Sequence, residues 1–174
     1  MSVVSAGMRR TAGTVLLLLL RHGKSAWPAG VADLERPLAP RGERACATVG
    51  NYLTVQGWRP DVVVASPARR TVDTAARVLA QQLSSAPPVC VDDRLYGGDI
   101  AAIVAEQSPA TQVLMLVGHQ PELESLLLAL TDQPITLPTA ALAALEMASW
   151  DSIGDARLLD FVTPKRLARQ AEPG

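Results

Sequence analysis

Apolar positions along this chain fall into two patterns. Short continuous runs at residues 14–20, 61–65, 88–91 and 112–117, most of them bounded by turn-forming or polar residues, predict strands buried on both faces. Between and after them the apolar residues recur at three and four. Pro40 opens a helical pattern that passes through Ala45, Val49, Tyr52 and Leu53 to a stop at Gly57. Ser66 as N-cap and Pro67 at the first helical position predict a second helix, with Val72, Ala75, Ala76, Leu79 and Leu83 on one face. Residues 100–106 form a short third pattern, and Pro121 opens a fourth in which Leu123, Leu126, Leu127 and Leu130 share a face. Alternation of strand and helix implies an α/β protein: a single three-layer α/β/α domain with a mostly parallel central sheet. Residues 141–149 and 157–162, separated by a turn at 151–155, read as a terminal hairpin at the sheet edge. The domain is expected over residues 13–162, with 1–12 a loose leader and 163–174 a surface tail.

Composition narrows the classes of function. A chain of 174 residues, 48% hydrophobic, is long enough for one full core and short for two. A net charge of −1 removes the broad basic footprint that nucleic-acid binding requires, so any anion recognition must be local. Aromatic residues, at 3%, are too few for a base-stacking platform. Cys46 and Cys90 lie in apolar segments without metal-ligand spacing, and are expected to be buried free thiols in a reducing cytoplasm. Arg9 and Arg10 ahead of an apolar run resemble the start of a secretory signal, but no small-residue cleavage site follows and the run ends directly in Arg21-His22. That run is also too short to cross a bilayer, so no membrane partner is expected.

Both histidines of the chain, His22 and His119, directly follow expected buried strands. Ligands of open α/β sheets bind beyond the carboxyl ends of the strands, which places both imidazoles on one rim unless they are unrelated polar loop residues. The neighbours favour a shared phosphate site. Arg21 offers a fork of donors beside His22, and Gly23 lets backbone N–H groups approach an anion. Ser66-Pro67-Ala68-Arg69-Arg70 puts arginine into the first turn of a helix, where the dipole disfavours it unless an anion is bound.

The segments Arg21-His22-Gly23-Lys24-Ser25-Ala26-Trp27, Arg36-Pro37-Leu38-Ala39-Pro40-Arg41-Gly42, Ser66 to Ala75, and Val117-Gly118-His119-Gln120-Pro121 together resemble the histidine phosphatase superfamily, with the SixA-type phosphohistidine phosphatase branch most similar. The resemblance spans nearly the whole domain and implies the phosphoglycerate mutase-like fold. It implies His22 as the nucleophile that takes the phosphoryl group, and Arg21, Arg70 and His119 as the groups that grip phosphate oxygens. Arg70 rather than Arg69 matches the S-P-x-x-R pattern, leaving Arg69 to the surface. Ser25 is a further candidate phosphate ligand, or a cap of its local turn. The implied chemistry needs neither metal nor cofactor, because a neutral imidazole is a competent nucleophile and fixed positive charge stabilises phosphoryl transfer.

The pattern departs from the family at the proton donor. Asp92, Asp93 and Asp99 lie in the right part of the chain, yet Asp99 reads more readily as the N-cap of the helix that follows. A phosphohistidine leaving group can depart as imidazole without a positioned carboxylic acid, whereas an alkoxide needs one. Lys24 is either at the pocket edge or a surface lysine, and Trp27 and Trp58 are either rim or packing. Without the long insertions that enclose substrate in related mutases, the pocket should be shallow and open. The expected substrate is a phosphohistidine on a partner protein; the alternatives are a small phosphomonoester at the same site, or phosphate-dependent binding without catalysis.

Overall fold

Leu16, Leu17, Leu18, Leu19 and Leu20 are consecutive and all buried, which only a strand covered on both faces allows. The structure, a computed structural model, describes residues 10–82 and 86–171. Among them six strands form one sheet: β1 (Val15–Arg21), β2 (Val62–Ala65), β3 (Val89–Val91), β4 (Val113–Gly118), β5 (Leu142–Met147) and β6 (Arg157–Val162). Their order is β3-β2-β4-β1-β5-β6, parallel from β3 to β1 and antiparallel at β5 and β6. The expected terminal hairpin is therefore present, at the edge of a mostly parallel sheet.

Side chains of β1 alternate between two cores, as the pleat requires. Leu16, Leu18 and Leu20 pack with Cys46, Val49 and Leu53 of α1 (Pro40–Gln56) and with Ala75 and Val78 of α2 (Arg69–Leu79). Leu17 and Leu19 pack with Ile103 of α3 (Ile100–Ala105) and with Leu123 and Leu127 of α4 (Glu122–Thr131). Each fully buried leucine contributes about 1.5–3 kcal/mol, so the run anchors the centre of both layers. Helix α1 begins at Pro40 and stops at Gly57, whose left-handed φ of 69° lets its N–H reach Leu53 O and Thr54 O.

Four expectations change. Helix α2 starts at Arg69 with Ala68 as N-cap and no side-chain cap; Ser66 is therefore not its cap, because its hydroxyl is turned to His119 instead. Leu83, expected on the same helix, lies outside the described residues. Cys90 is exposed, not buried, since β3 is the edge strand and its outward positions meet solvent. The end of the chain is not a plain surface tail: Thr163 Oγ1 accepts the Arg166 N–H at 3.2 Å, Pro164 takes the first helical position, and α5 (Pro164–Ala171) buries Leu167 in the core it shares with α1. Of the expected leader, residues 1–9 lie outside the described residues; Arg10 and Thr11 are tied down, to Gln112 O and to the Glu146 carboxylate. Among the described residues no helix is long and apolar enough to cross a membrane.

Candidate active site

Strands β1 and β4 are neighbours in parallel register, Arg21 opposite Gly118, so the chain leaves both at the same rim. His22 and His119 follow at once, and their rings stand 5.1 Å apart between centroids, tilted by 55°. The His22 loop is fixed from below: Gly23 N–H donates to Thr74 Oγ1 of α2 at 2.9 Å, and His22 N–H to Gly118 O at 3.1 Å. Helix α1 runs unusually close to this loop. A Cβ at Gly42 would sit 2.2 Å from Lys24 O, and one at Gly23 2.7 Å from Cys46 Sγ, so both glycines are required by proximity.

His22 Nδ1 lies 2.8 Å from Gly23 O. A carbonyl only accepts, so Nδ1 carries the hydrogen and Nε2 keeps its lone pair. Burial, then Arg70, Arg21 and Arg36, push the imidazole pKa down to about 4 against the opposing Gly23 bond; the ring is neutral at pH 7. Desolvation is the largest cause of this lowering, ahead of the guanidinium charges. His119 is pushed to about 3, by burial first and then by His22 and Arg70. Arg70 Nη2, which can only donate, lies 3.4 Å from His119 Nδ1, so Nδ1 keeps its lone pair and Nε2 carries the hydrogen, donating to Ser66 Oγ at 2.6 Å.

Positive charge surrounds these rings. Arg21 Nη1 donates to Leu137 O at 2.7 Å, while its buried Nε has no partner among the described residues. Arg70, only 5% exposed, donates from Nη1 to Asp33 O at 2.7 Å and from Nη2 to Asp33 Oδ2 at 3.0 Å. Asp33 also accepts from Tyr96 Oη at 2.7 Å and Arg36 Nη1 at 2.9 Å, and these bonds hold its carboxyl far below the ordinary range. Arg21, His22, Arg70, Tyr96, His119, Gln120 and Glu122 line an open cleft of about 280 Å³. A second hollow of about 200 Å³ shares Arg21, His22 and Arg70 and adds Lys24, Ser25, Trp27 and Arg36. The arrangement offers one unprotonated nitrogen nucleophile, a second neutral imidazole, and guanidinium groups placed for a tetrahedral anion.

The structure thus brings His22, Arg21, Arg70 and His119 together. Ser25 lines the second hollow, its Oγ already accepting from Arg36 Nη2 at 2.5 Å. Arg69 lies outside and pairs with Asp73. Trp27 is a rim residue, 75% exposed, beneath the Arg36 guanidinium, whereas Trp58 is core. Asp99 caps α3 by accepting the Ala102 N–H, Asp92 is held by Arg94, and Asp93 is exposed. None of these three lines the cleft. Sequence reasoning missed Asp33, Arg36, Tyr96, Thr74 and Glu122. Arg36 and Thr74 stood inside quoted motifs; Asp33 and Tyr96 meet only through tertiary contact, and Glu122 three residues beyond His119 was the one legible signal. Among the described residues no group of three His, Cys, Asp or Glu is arranged to hold a metal.

A model of the histidine phosphatase superfamily (branch 1) matches residues 17–102. An uncharacterised protein of Mycobacterium tuberculosis (strain H37Rv) is 32% identical over 163 residues, covering 84% of this chain and 100% of that protein. A structure assigned as phosphohistidine phosphatase SixA from Nakamurella multipartitia is 28% identical, with a TM-score of 0.75 over 88% of this chain and 98% of that one. The protein histidine phosphatase SixA complexed with tungstate, 22% identical, shares the fold with a TM-score of 0.78 over 88% of this chain and 99% of its own.

Proposed function

The chain belongs to the histidine phosphatase superfamily, and from that premise we propose that it is a phosphatase working through a covalent phosphohistidine on His22, with a phosphohistidine on a partner protein as its substrate. The observation that carries this reading is the free Nε2 of His22, its tautomer set by Gly23 O, facing a cleft shared with Arg21, Arg70 and His119.

The phosphoryl group enters with its oxygens toward Arg21 and Arg70, and the buried Nε–H of Arg21 gains the acceptor it lacks. His119 stands beside them, its Nδ1 facing the Arg70 guanidinium. His22 Nε2 attacks phosphorus as the bond to the leaving group breaks, and charge on the equatorial oxygens is met by fixed donors that need not reorganise. Water then displaces His22, so one slow hydrolysis is divided into two faster steps.

Two features support phosphohistidine over a small ester. The cleft is open at the rim, so a phosphate held on a protein side chain can reach His22. Asp92, Asp93 and Asp99 stand away from it, so none of these three is placed to protonate an alkoxide leaving group. Metal-free single-turnover phosphate release, from a phosphohistidine-carrying protein domain and from a panel of small phosphomonoesters, tests the reading with wild-type and His22→Ala proteins. Faster cleavage of the histidine-phosphorylated domain, abolished in His22→Ala, is the expected result. Preference for small esters would keep the mechanism and replace the substrate; release that survives His22→Ala would remove the nucleophile.

A further inference from the structure

Hydrolysis of a phosphoryl-His22 requires something to take a proton from the attacking water, and the groups lining the cleft, with the Asp33 carboxylate behind Arg70, can be tested one by one. His119 is engaged at both nitrogens: Nε2–H donates to Ser66 Oγ, Nδ1 faces the Arg70 guanidinium, and its low pKa opposes a second proton. The Asp33 carboxylate is occupied by Arg70, Arg36 and Tyr96, and the Tyr96 hydroxyl donates to it. Arg21 and Arg70 have no acceptor to offer. Glu122 differs. It stands in the first turn of α4, three residues past His119, and lines the cleft with both histidines. Its Oε2 is buried and, among the described residues, has no hydrogen-bond partner. Neighbouring Glu124 is otherwise engaged, accepting from Gln120 Nε2 and from Leu137 N–H.

We propose that Glu122 is the general base of the second half-reaction, a catalytic residue that binds the attacking water through Oε2 and receives its proton. The proposal rests on the phosphohistidine reading of the site. As the water oxygen bonds to phosphorus, the phosphorus–Nε2 bond breaks and its electron pair returns to Nε2. His22 leaves as a neutral imidazole still protonated at Nδ1, and inorganic phosphate is formed. The proton that water loses resides on Glu122 until it passes to phosphate or solvent. A buried carboxylate oxygen without a donor is costly in a resting protein, and a water bonded to it supplies the missing donor.

Glu122→Gln keeps the shape and removes the base. With whichever of phosphoramidate, p-nitrophenyl phosphate and a phosphohistidine-carrying protein domain the wild type consumes fastest, ³²P-labelled and under single turnover, the variant should phosphorylate His22 at close to the wild-type rate. It should then lose the label about 10²-fold more slowly, so that acid-labile, alkali-stable phosphoenzyme accumulates. Glu122→Asp should recover part of the breakdown rate. A structural role would slow both steps together, and that outcome overturns the proposal, as does a Glu122→Gln protein whose breakdown rate matches wild type. Absence of label on His22 in the wild type itself would overturn the phosphohistidine mechanism, a failure separate from that of Glu122.

Discussion

Thr74 Oγ1 accepts the Gly23 N–H at 2.9 Å and donates to Arg70 O at 2.6 Å, so one hydroxyl of α2 ties the His22 loop to the helix turn that carries Arg70. All three groups are in the interior, where no water replaces a lost partner. Thr74→Val keeps the volume and strands the Gly23 N–H, an unmade buried bond worth about 1–3 kcal/mol. Urea unfolding should show a loss of that size, and kcat should fall at least tenfold at saturating substrate because His22 and Arg70 lose their common reference. A variant that loses stability while keeping kcat would show that the bond serves only the fold.

Because this chain has two histidines, their titration can be followed directly by NMR, with His119→Gln to assign the signals. The expected midpoints are about 4 for His22 and about 3 for His119, both well below an unperturbed imidazole. Between these values and about pH 6.5 the unfolded chain binds protons that the folded one refuses, so stability should decrease as pH falls through that window. Arg70→Met removes the first-named charge that lowers His22 and should raise its midpoint, by less than burial lowers it. A His22 midpoint at or above 6.5 in the wild type would contradict the neutral nucleophile.

The elements that carry a strong local signal were legible in the sequence, and the rest depended on partners distant along the chain. The leucine run of β1 and the Pro40 to Gly57 frame of α1 each state their structure within a few residues. Placing His22 and His119 at strand ends was enough to bring them to one rim, since parallel strands deliver their carboxyl ends to the same side. Ser66 misled because serine before proline is a strong cap signal, and nothing local reveals an imidazole 53 residues later that pairs with its hydroxyl oxygen. Helix α5 was hidden by its polar composition; one buried leucine and a Thr-Pro start were too little pattern to outweigh the expectation of a tail. Asp33 and Tyr96, 63 residues apart, meet only when both loops close over Arg70.

Asp33 sets the charge of the cleft as well as its geometry. Its carboxylate meets Arg70 at 3.0 Å and Arg36 at 2.9 Å, partly neutralising the guanidinium groups that would otherwise hold product phosphate. Asp33→Asn keeps hydrogen-bonding atoms near both arginines and removes the charge. Inorganic phosphate should then inhibit about three- to tenfold more strongly, equivalent to about 1 kcal/mol, and kcat should fall as release slows. An unchanged inhibition constant for phosphate would mean that Asp33 only orients Arg70.

Glu146 is the carboxylate whose protonation should govern acid stability at the far edge of the sheet. It is buried, and accepts from Thr11 N–H, from Thr14 Oγ1 at 3.0 Å and from Arg157 Nε at 2.9 Å. Burial raises its pKa; the bonds from Thr11, Arg157 and Thr14 more than offset this and bring it from 4.5 to about 2. A carboxyl depressed on folding stabilises the protein fully above its unfolded pKa, and this contribution is lost as pH falls from about 4.5 through about 2. Glu146→Gln should therefore be less stable than wild type at pH 7, by about 1–3 kcal/mol, since Arg157 and the Thr11 N–H lose a charged acceptor. The difference between the two proteins should shrink steadily below pH 4.5, as measured by urea unfolding at each pH. Equal acid sensitivity of both proteins would assign the acid limb to other groups, and would show that Glu146 fastens Thr11 to β5 without titrating in the window.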